Sequence, residues 1–269
     1  SKNNTKEHNI KIIQQKLNVL YLEEYPRWEY RYLKNALIRD KTVLVNTWLY
    51  SADDSFPQEK SKDAPILNGF PDEKELYKFH CIILGDVSIK NFTSNQIKLL
   101  VNFVKNQSGG IAFVAGNRNN PIEYWDSPLG VLLPVAIDFE YNRRKYYTEL
   151  QHLKLTPEGK FHPIMRLLEN VEKNQQLWES RQYGLPGFYW SFPINKIKPG
   201  ATSLSVNSEN SKILMATQNY GKGKTFFTAL DSSWRWRYLY GDRYFYRFWG
   251  QIIRYVSMGK LIGNSNKYY

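Results

Sequence analysis

Cysteine is almost missing from this chain of 269 residues: Cys81 stands alone, which excludes a disulfide framework. Histidine is nearly as scarce. The four imidazoles are scattered, no His-x-x-x-His or Cys-x-x-Cys spacing occurs, and structural zinc has no ligand set to use. Long apolar runs are lacking too. The longest, Val131–Ile137, is far short of the ~18 residues of a membrane span and is broken by Pro134, so no span is expected in this chain. The first fifteen residues (SKNNTKEHNIKIIQQ) contain no signal-peptide apolar core. Ser1 stands in place of Met, and a domain cut from a longer protein is expected. No internal repeat is visible.

Acid is the minority charge. Thirty-seven Lys and Arg against 25 Asp and Glu leave +12, which favours anionic partners without choosing among nucleic acid, lipid headgroups and acidic polymers. Against these shortages stand 8 Trp, 14 Phe and 20 Tyr, far too many for a solvated coil. A chain this long buries roughly three quarters of its unfolded surface. One domain over 16–258 is expected, with a polar segment at 1–15 and a tail at 259–269.

Lys16–Glu24 reads as a buried strand, and Pro26 suits the first turn of a helix carrying Tyr30, Leu33, Ala36 and Leu37. Thr42–Trp48 is a second strand, rich in β-branched residues. Ser51–Lys78, polar and rich in Pro, Asp and Lys, reads as a long loop of a kind that is often functional. His80–Val87 is a third strand, ending in Gly85-Asp86. Thr93 and Gln96 make a capping box for a helix with Ile97, Leu100, Val101 and Val104 on one face. Gly109-Gly110 ends it, and Ile111–Ala115 is a fourth strand. This order predicts a mostly parallel sheet with helices on both faces.

An irregular insertion is expected over about 117–212, with Tyr146–Leu155 extended, a short helix from His162-Pro163 to Leu168, and a strand at Ala201–Val206. Ile213–Gln218 and Lys224–Leu230 flank a hairpin turn at Asn219–Gly223. In the last helix Phe245, Phe248, Trp249, Ile252, Ile253 and Val256 recur at i, i+3, i+4, and Arg243, Arg247 and Arg254 take the other face. Asp242 is placed to cap this helix and Gly259 to stop it.

Ligands of open parallel sheets bind beyond the carboxyl ends of the strands. Here those ends are Glu23-Glu24-Tyr25, Gly85-Asp86, Gly116-Asn117-Arg118 and Asp231-Ser232-Ser233. Converging on one edge, they would bring acidic, amide and guanidinium groups together. The competing reading makes Asp86 and Asp231 loop carboxylates that cap nearby backbone N–H groups.

Several blocks carry a resemblance. Tyr25-Pro26-Arg27-Trp28-Glu29-Tyr30-Arg31-Tyr32-Leu33-Lys34, Ile82-Ile83-Leu84-Gly85-Asp86 and the turns Gly109-Gly110 and Ala115-Gly116 are three of them. The fourth is Asp231-Ser232-Ser233-Trp234-Arg235-Trp236-Arg237, followed by Phe248-Trp249-Gly250-Gln251. Together they resemble the glutamine amidotransferase-like domain of large bacterial membrane-anchored proteins, similar in fold to class I glutamine amidotransferases and trehalose-utilisation-type proteins. The resemblance runs from about Lys16 to Met258. It implies an α/β, flavodoxin-like three-layer sandwich and an extracytoplasmic setting. It does not bring the amidotransferase reaction, which needs a thiolate on a sharp strand-to-helix turn, activated by a carboxylate-oriented His. The corresponding turn, Phe113-Val114-Ala115-Gly116-Asn117, holds no Cys, Ser or His, and no His follows His162.

Other chemistry is poorly supplied. His80 and Cys81 are adjacent in a strand and point to opposite faces, so they form no dyad, and Cys81 reads as inert core. Gly223-Lys224-Thr225 lacks the first glycine of a phosphate loop (Gln218) and lies between strands. His162 before Pro163 reads as a cap or packed residue. An alternative is a hydrolase with Asp86 and Asp231 as acid and base. Trp234–Arg237 reads as a cation–π ladder wedging the last helix on the sheet, with Arg235 and Arg237 paired to Asp86 or Asp231; sugar or single-strand binding is the other reading. No nucleic-acid module signature appears, which leaves nucleic acid the least weighted partner.

The expectation is a catalytically degenerate module that binds other domains, proteins, or an anionic or carbohydrate ligand. Asp86, Asn117, Arg118, Asp231 and Ser232 would form its pocket, supported by Tyr25, Arg27, Trp28, Trp234, Arg235, Trp236 and Arg237. No cofactor is implied.

Overall fold

A strand flanked by helices on both faces must be apolar on both, and Val19–Leu22 form such a run, wholly shielded from solvent. The computed structural model describes residues 16–53, 55–137 and 147–265, and the expectations for 1–15, Tyr146 and 266–269 lie outside the described residues. The first half of the chain forms β1 (Leu17–Glu23), α1 (Trp28–Arg39), β2 (Val43–Leu49), α2 (Glu73–Leu76), β3 (Cys81–Leu84), α3 (Ser94–Lys105) and β4 (Gly110–Val114). Next come α4 (Ile122–Trp125), β5 (Val135–Ala136), β6 (Leu153–Leu155), α5 (Pro157–Phe161), α6 (Val171–Glu179) and β7 (Lys196–Ile197). The chain closes with β8 (Ala201–Asn207), β9 (Ile213–Tyr220), β10 (Gly223–Thr228), α7 (Arg237–Tyr240) and α8 (Arg243–Ser265).

The main sheet has 8 strands in the order β2-β1-β3-β4-β10-β9-β8-β6. From β2 to β10 the neighbours are parallel, in the 2-1-3-4-5 order of a flavodoxin-like sheet with β10 as the fifth strand. Beyond β10 the sheet continues antiparallel through β9, β8 and β6. The chain direction of assembly reverses between β1 and β3, so the crevice of this topology lies beyond their carboxyl ends.

Adjacent residues of β10 show the three layers. Phe226 meets Phe248 of α8 edge-on, whereas Phe227 shares its face with its register partner Phe113, which meets Tyr124 of α4. Alternation along a strand therefore sets α8 and α4 on opposite faces. The capping box at Thr93 and Gln96 is present, each side chain accepting from the other's backbone N–H, and Ile97, Leu100 and Val104 are buried as their spacing requires.

Four local expectations are corrected. Gly259 does not stop the last helix, which runs to Ser265; a Cβ there would meet the Ser108 carbonyl at 2.8 Å and the Lys222 carbonyl at 2.9 Å, so the glycine serves a close approach. Pro26 precedes α1 instead of opening it, with Arg27 still extended at ψ 164. The long loop contains α2, started by a capping box of Asp72 and Glu75. Within the insertion, α6 was not legible because its inward face uses Asn174, whose amide is buried between the Leu167 and Leu168 N–H groups and the Met165 carbonyl.

Candidate functional site

The carboxyl ends of β1, β3, β4 and β10 converge, and Arg27 is the knot. β1 delivers Glu23 fully buried, and the chain turns at Tyr25-Pro26 so that Arg27, four residues on, folds back over it. Arg27 Nε donates to Glu23 Oε2 at 3.0 Å. Its Nη1 donates to the Ala115 carbonyl at 2.7 Å and its Nη2 to that of Val114 at 3.2 Å, both at the end of β4. Asp231 Oδ2, beyond β10, lies 3.7 Å from Nη1. Glu23 Oε1 accepts the Asp86 N–H at 2.8 Å and the Glu24 N–H at 3.2 Å. Burial pushes the Glu23 carboxyl up in pKa, and the Arg27 charge opposes it. Gly85 is required here: a Cβ would sit 2.2 Å from Glu23 Oε2.

Asp86 is turned inward. Its Oδ1 accepts from the Asn119 and Asn120 N–H groups at 2.7 and 2.8 Å, and its Oδ2 from that of Arg118 at 3.1 Å. A Cβ on Gly116 would lie 2.1 Å from Asp86 Cγ. Asn120 completes the plug by donating from Nδ2 to the carbonyls of Leu84, Gly85 and Val114 at 3.1, 3.0 and 3.2 Å. The turn at 113–117 is thus filled by a guanidinium, an amide and a carboxylate. The sequence placed Glu23 at a converging strand end but not among the pocket residues, and it gave Asn120 no site role. An acid ending a buried apolar strand, with Arg four residues later, was the available sign of the first.

The other residues expected for the pocket lie nearer solvent. Asn117 and Ser232 are half-buried, and Arg118 lays its guanidinium 4.2 Å from the centre of the exposed Tyr25 ring. The Asp231 side chain is 32% exposed, and burial raises its carboxyl pKa against the pull of Arg27. Asp231 approaches Arg27, whereas Asp86 is consumed by backbone donors.

Trp234–Arg237 divides its work. Trp236 is only 4% exposed and packs edge-on against Trp178 at 5.4 Å and Phe248 at 5.1 Å, which wedges α8 as expected. Trp234 is half-buried, stacked on Tyr32 (5.6 Å, 7°) and tilted against Trp28 (5.7 Å). The expected pairing of Arg235 and Arg237 with Asp86 or Asp231 is corrected. Arg237 pairs with Asp242 and lies over Tyr32 at 4.4 Å, and Arg235 lies over Tyr189 at 5.4 Å. Asp86 is committed to backbone N–H groups and Asp231 faces Arg27, so neither reaches them.

Beneath this block Glu29 is buried on α1. It accepts from the Ser233 hydroxyl and, at 3.2 Å, from the Trp234 N–H, and the Trp249 indole donates to Ser233 Oγ at 3.0 Å. Burial pushes Glu29 up to about 7, with the Ser233 and Trp234 hydrogen bonds opposing. Glu29 falls on the buried stripe with Leu33 and Ala36, which was the sequence sign that it points inward.

The sulfur and imidazole groups sit elsewhere. Cys81 is buried in β3, and burial pushes its thiol up. His80 Nδ1 accepts the Asn18 N–H at 3.0 Å. His162 caps its turn by accepting the Ile164 N–H at 3.2 Å and packs on Tyr255, and burial pushes it down to about 4. Among the described residues no three His, Cys, Asp or Glu side chains are grouped to hold a metal ion, and no helix is long and apolar enough to cross a membrane.

No family model and no curated protein matches the chain. Among solved structures, a ThuA-like protein from Bacteroides uniformis superposes with TM-score 0.54 at 10% identity, covering 93% of this chain and 95% of that one. ThuA-like proteins are a trehalose-utilisation family of the class I glutamine amidotransferase-like fold, so the likeness agrees with the expected α/β, mostly parallel architecture. Weaker likenesses are to exo-β-1,4-mannosidase Op5Man5 from Opitutaceae bacterium strain TAV5 (TM-score 0.45, 15% identity, 90% of this chain) and to β-galactosidase from Bacillus circulans sp. alkalophilus (0.46, 11%, 90%). This chain spans 36% of the mannosidase and 31% of the galactosidase.

Proposed function

We propose that the chain is a catalytically degenerate glutamine amidotransferase-like domain, acting as an interaction or ligand-binding module of a larger bacterial protein held at the membrane. The observation that carries this reading is the Arg27 guanidinium, bonded at once to Glu23 and to the Val114 and Ala115 carbonyls where a nucleophile would need open space. An amide substrate entering there would have to expel a buried ion pair, and no thiol or imidazole of the turn would meet it. Binding therefore belongs to the rim: Asn117, Arg118, Asp231 and Ser232, with Tyr25, Trp28 and Trp234 around them.

The alternative of Asp86 and Asp231 as acid and base is favoured at one residue only. Asp231 is partly exposed with a raised pKa. Asp86 has backbone N–H donors on both oxygens. Activity on glutamine, esters and glycosides tests both readings. No ammonia and no hydrolysis is expected; ammonia release that survives in Asp231→Asn sinks the degenerate reading, and hydrolysis abolished in Asp231→Asn installs the alternative.

A further inference from the structure

The rim holds more cation and aromatic surface than the packing of the fold needs. Trp28 is 55% and Tyr238 73% exposed, with Tyr25 and Leu239 also protruding. Three guanidiniums lie on rings of this region: Arg31 at 5.5 Å from the Trp28 centre, Arg118 over Tyr25, and Arg235 over Tyr189. Unlike Arg27 and Arg237, these three meet no carboxylate at ion-pairing distance among the described residues. A guanidinium laid on a ring keeps its N–H edge free for a planar, bidentate carboxylate. The chain also carries a net charge of +12.

We propose that this rim binds an acidic polypeptide segment, with carboxylates on Arg31, Arg118 and Arg235 and apolar side chains against Trp28 and Tyr238. The inference rests on the rim being the binding face of a non-catalytic module and names the partner's chemistry. Stacked bases or sugar rings need open aromatic faces. Here Arg118 lies over Tyr25, and Tyr32 is stacked by Trp234 and by Arg237. With those faces covered, the protruding Trp28 and Tyr238 and the ring-laid guanidiniums give the Trp, Tyr and Arg composition that anchors protein interfaces.

The test titrates the whole chain with a fluorescent synthetic peptide of repeating Glu-Leu-Asp and reads anisotropy. Arg31→Glu/Arg118→Glu and Trp28→Ala/Tyr238→Ala are each expected to weaken binding at least about tenfold. Arg243→Glu/Arg254→Glu removes the same charge from the exposed face of α8 and is expected to change it less than about threefold. Equal weakening by the two double arginine variants overturns the proposal, since net charge alone would explain it. So does tighter binding of oligothymidine or polygalacturonate than of the peptide, which hands the surface to nucleic acid or an acidic glycan. Failure of the unaltered chain to hold the peptide at submillimolar concentration also overturns it. Ammonia release from glutamine, followed on the same sample, judges the non-catalytic reading separately: turnover with peptide binding intact removes that reading and leaves the rim assignment standing.

Discussion

Arg27 donates through Nε to Glu23 at 3.0 Å while the rest of its fork grips the end of β4, so one guanidinium ties β1 to β4 and neutralises a carboxylate that sees no solvent. Arg27→Ala would leave that buried carboxylate without its cation and take the side-chain donor from the Ala115 carbonyl, while Val114 keeps Asn120. A loss of about 3–5 kcal/mol in urea unfolding is expected. Arg27→Lys should recover only part of it, because one ammonium cannot span the fork's partners. A change within about 0.5 kcal/mol for Arg27→Ala would show that the knot holds nothing.

Asp86 and Asp231 should separate cleanly in stability. Asp86→Asn puts an amide donor against the N–H groups of Arg118, Asn119 and Asn120, and should cost about 2–4 kcal/mol. Asp231→Asn gives up one looser contact with Arg27 at 3.7 Å and should cost under about 1 kcal/mol. Thermal melts of the two variants side by side decide it; equal costs would contradict the inward placement of Asp86.

Glu29 ties stability to pH. Its ordinary value is 4.5 and the fold pushes it up to about 7, so between these values the folded chain keeps a proton that the unfolded chain has released. Stability from this group is greatest below 4.5 and falls as pH rises toward 7, by about 2–3 kcal/mol in all. His162, pushed down to about 4, tilts the opposite way, since the folded chain resists the proton that the unfolded chain takes up below 6.5. The difference between the unaltered chain and Glu29→Gln isolates the first effect. That difference should move in favour of the glutamine variant as pH is raised from 4.5 to 7; a flat difference would place Glu29 in contact with water.

Two glycines of α8 should respond to alanine with opposite signs. Gly263 has nothing within 4 Å of a built Cβ, so Gly263→Ala should stabilise by about 0.5–1 kcal/mol through helix propensity. Gly259 faces two backbone carbonyls within 2.9 Å, and Gly259→Ala should destabilise despite the same propensity gain. Urea midpoints of the two single variants suffice, and a stabilised Gly259→Ala would mean that α8 does not approach the 108 and 222 turns so closely.

Much of the frame was legible because it is written in short-range terms. The parallel strands, the Thr93–Gln96 box, the hairpin at 219–223 and the apolar stripe of α8 depend on periodicity and turn chemistry within a few residues. Gly259 misled for the same reason: local propensity says stop, and only the carbonyls of distant turns explain why a glycine continues the helix.

By itself the sequence determined the layered α/β plan, the buried fate of Cys81 and the lack of a nucleophile at 113–117, since each follows from residue identity and local pattern. Only the tertiary structure decided what each charge at the strand ends does. Asp86 went to backbone N–H groups, Glu23 to Arg27, Arg237 to Asp242, and Arg118 to the face of Tyr25. The reason is physical: a charge's role is set by what lies within about 4 Å of it and by the water taken away. Residues 23, 86, 115 and 231 become neighbours only when β1, β3, β4 and β10 align.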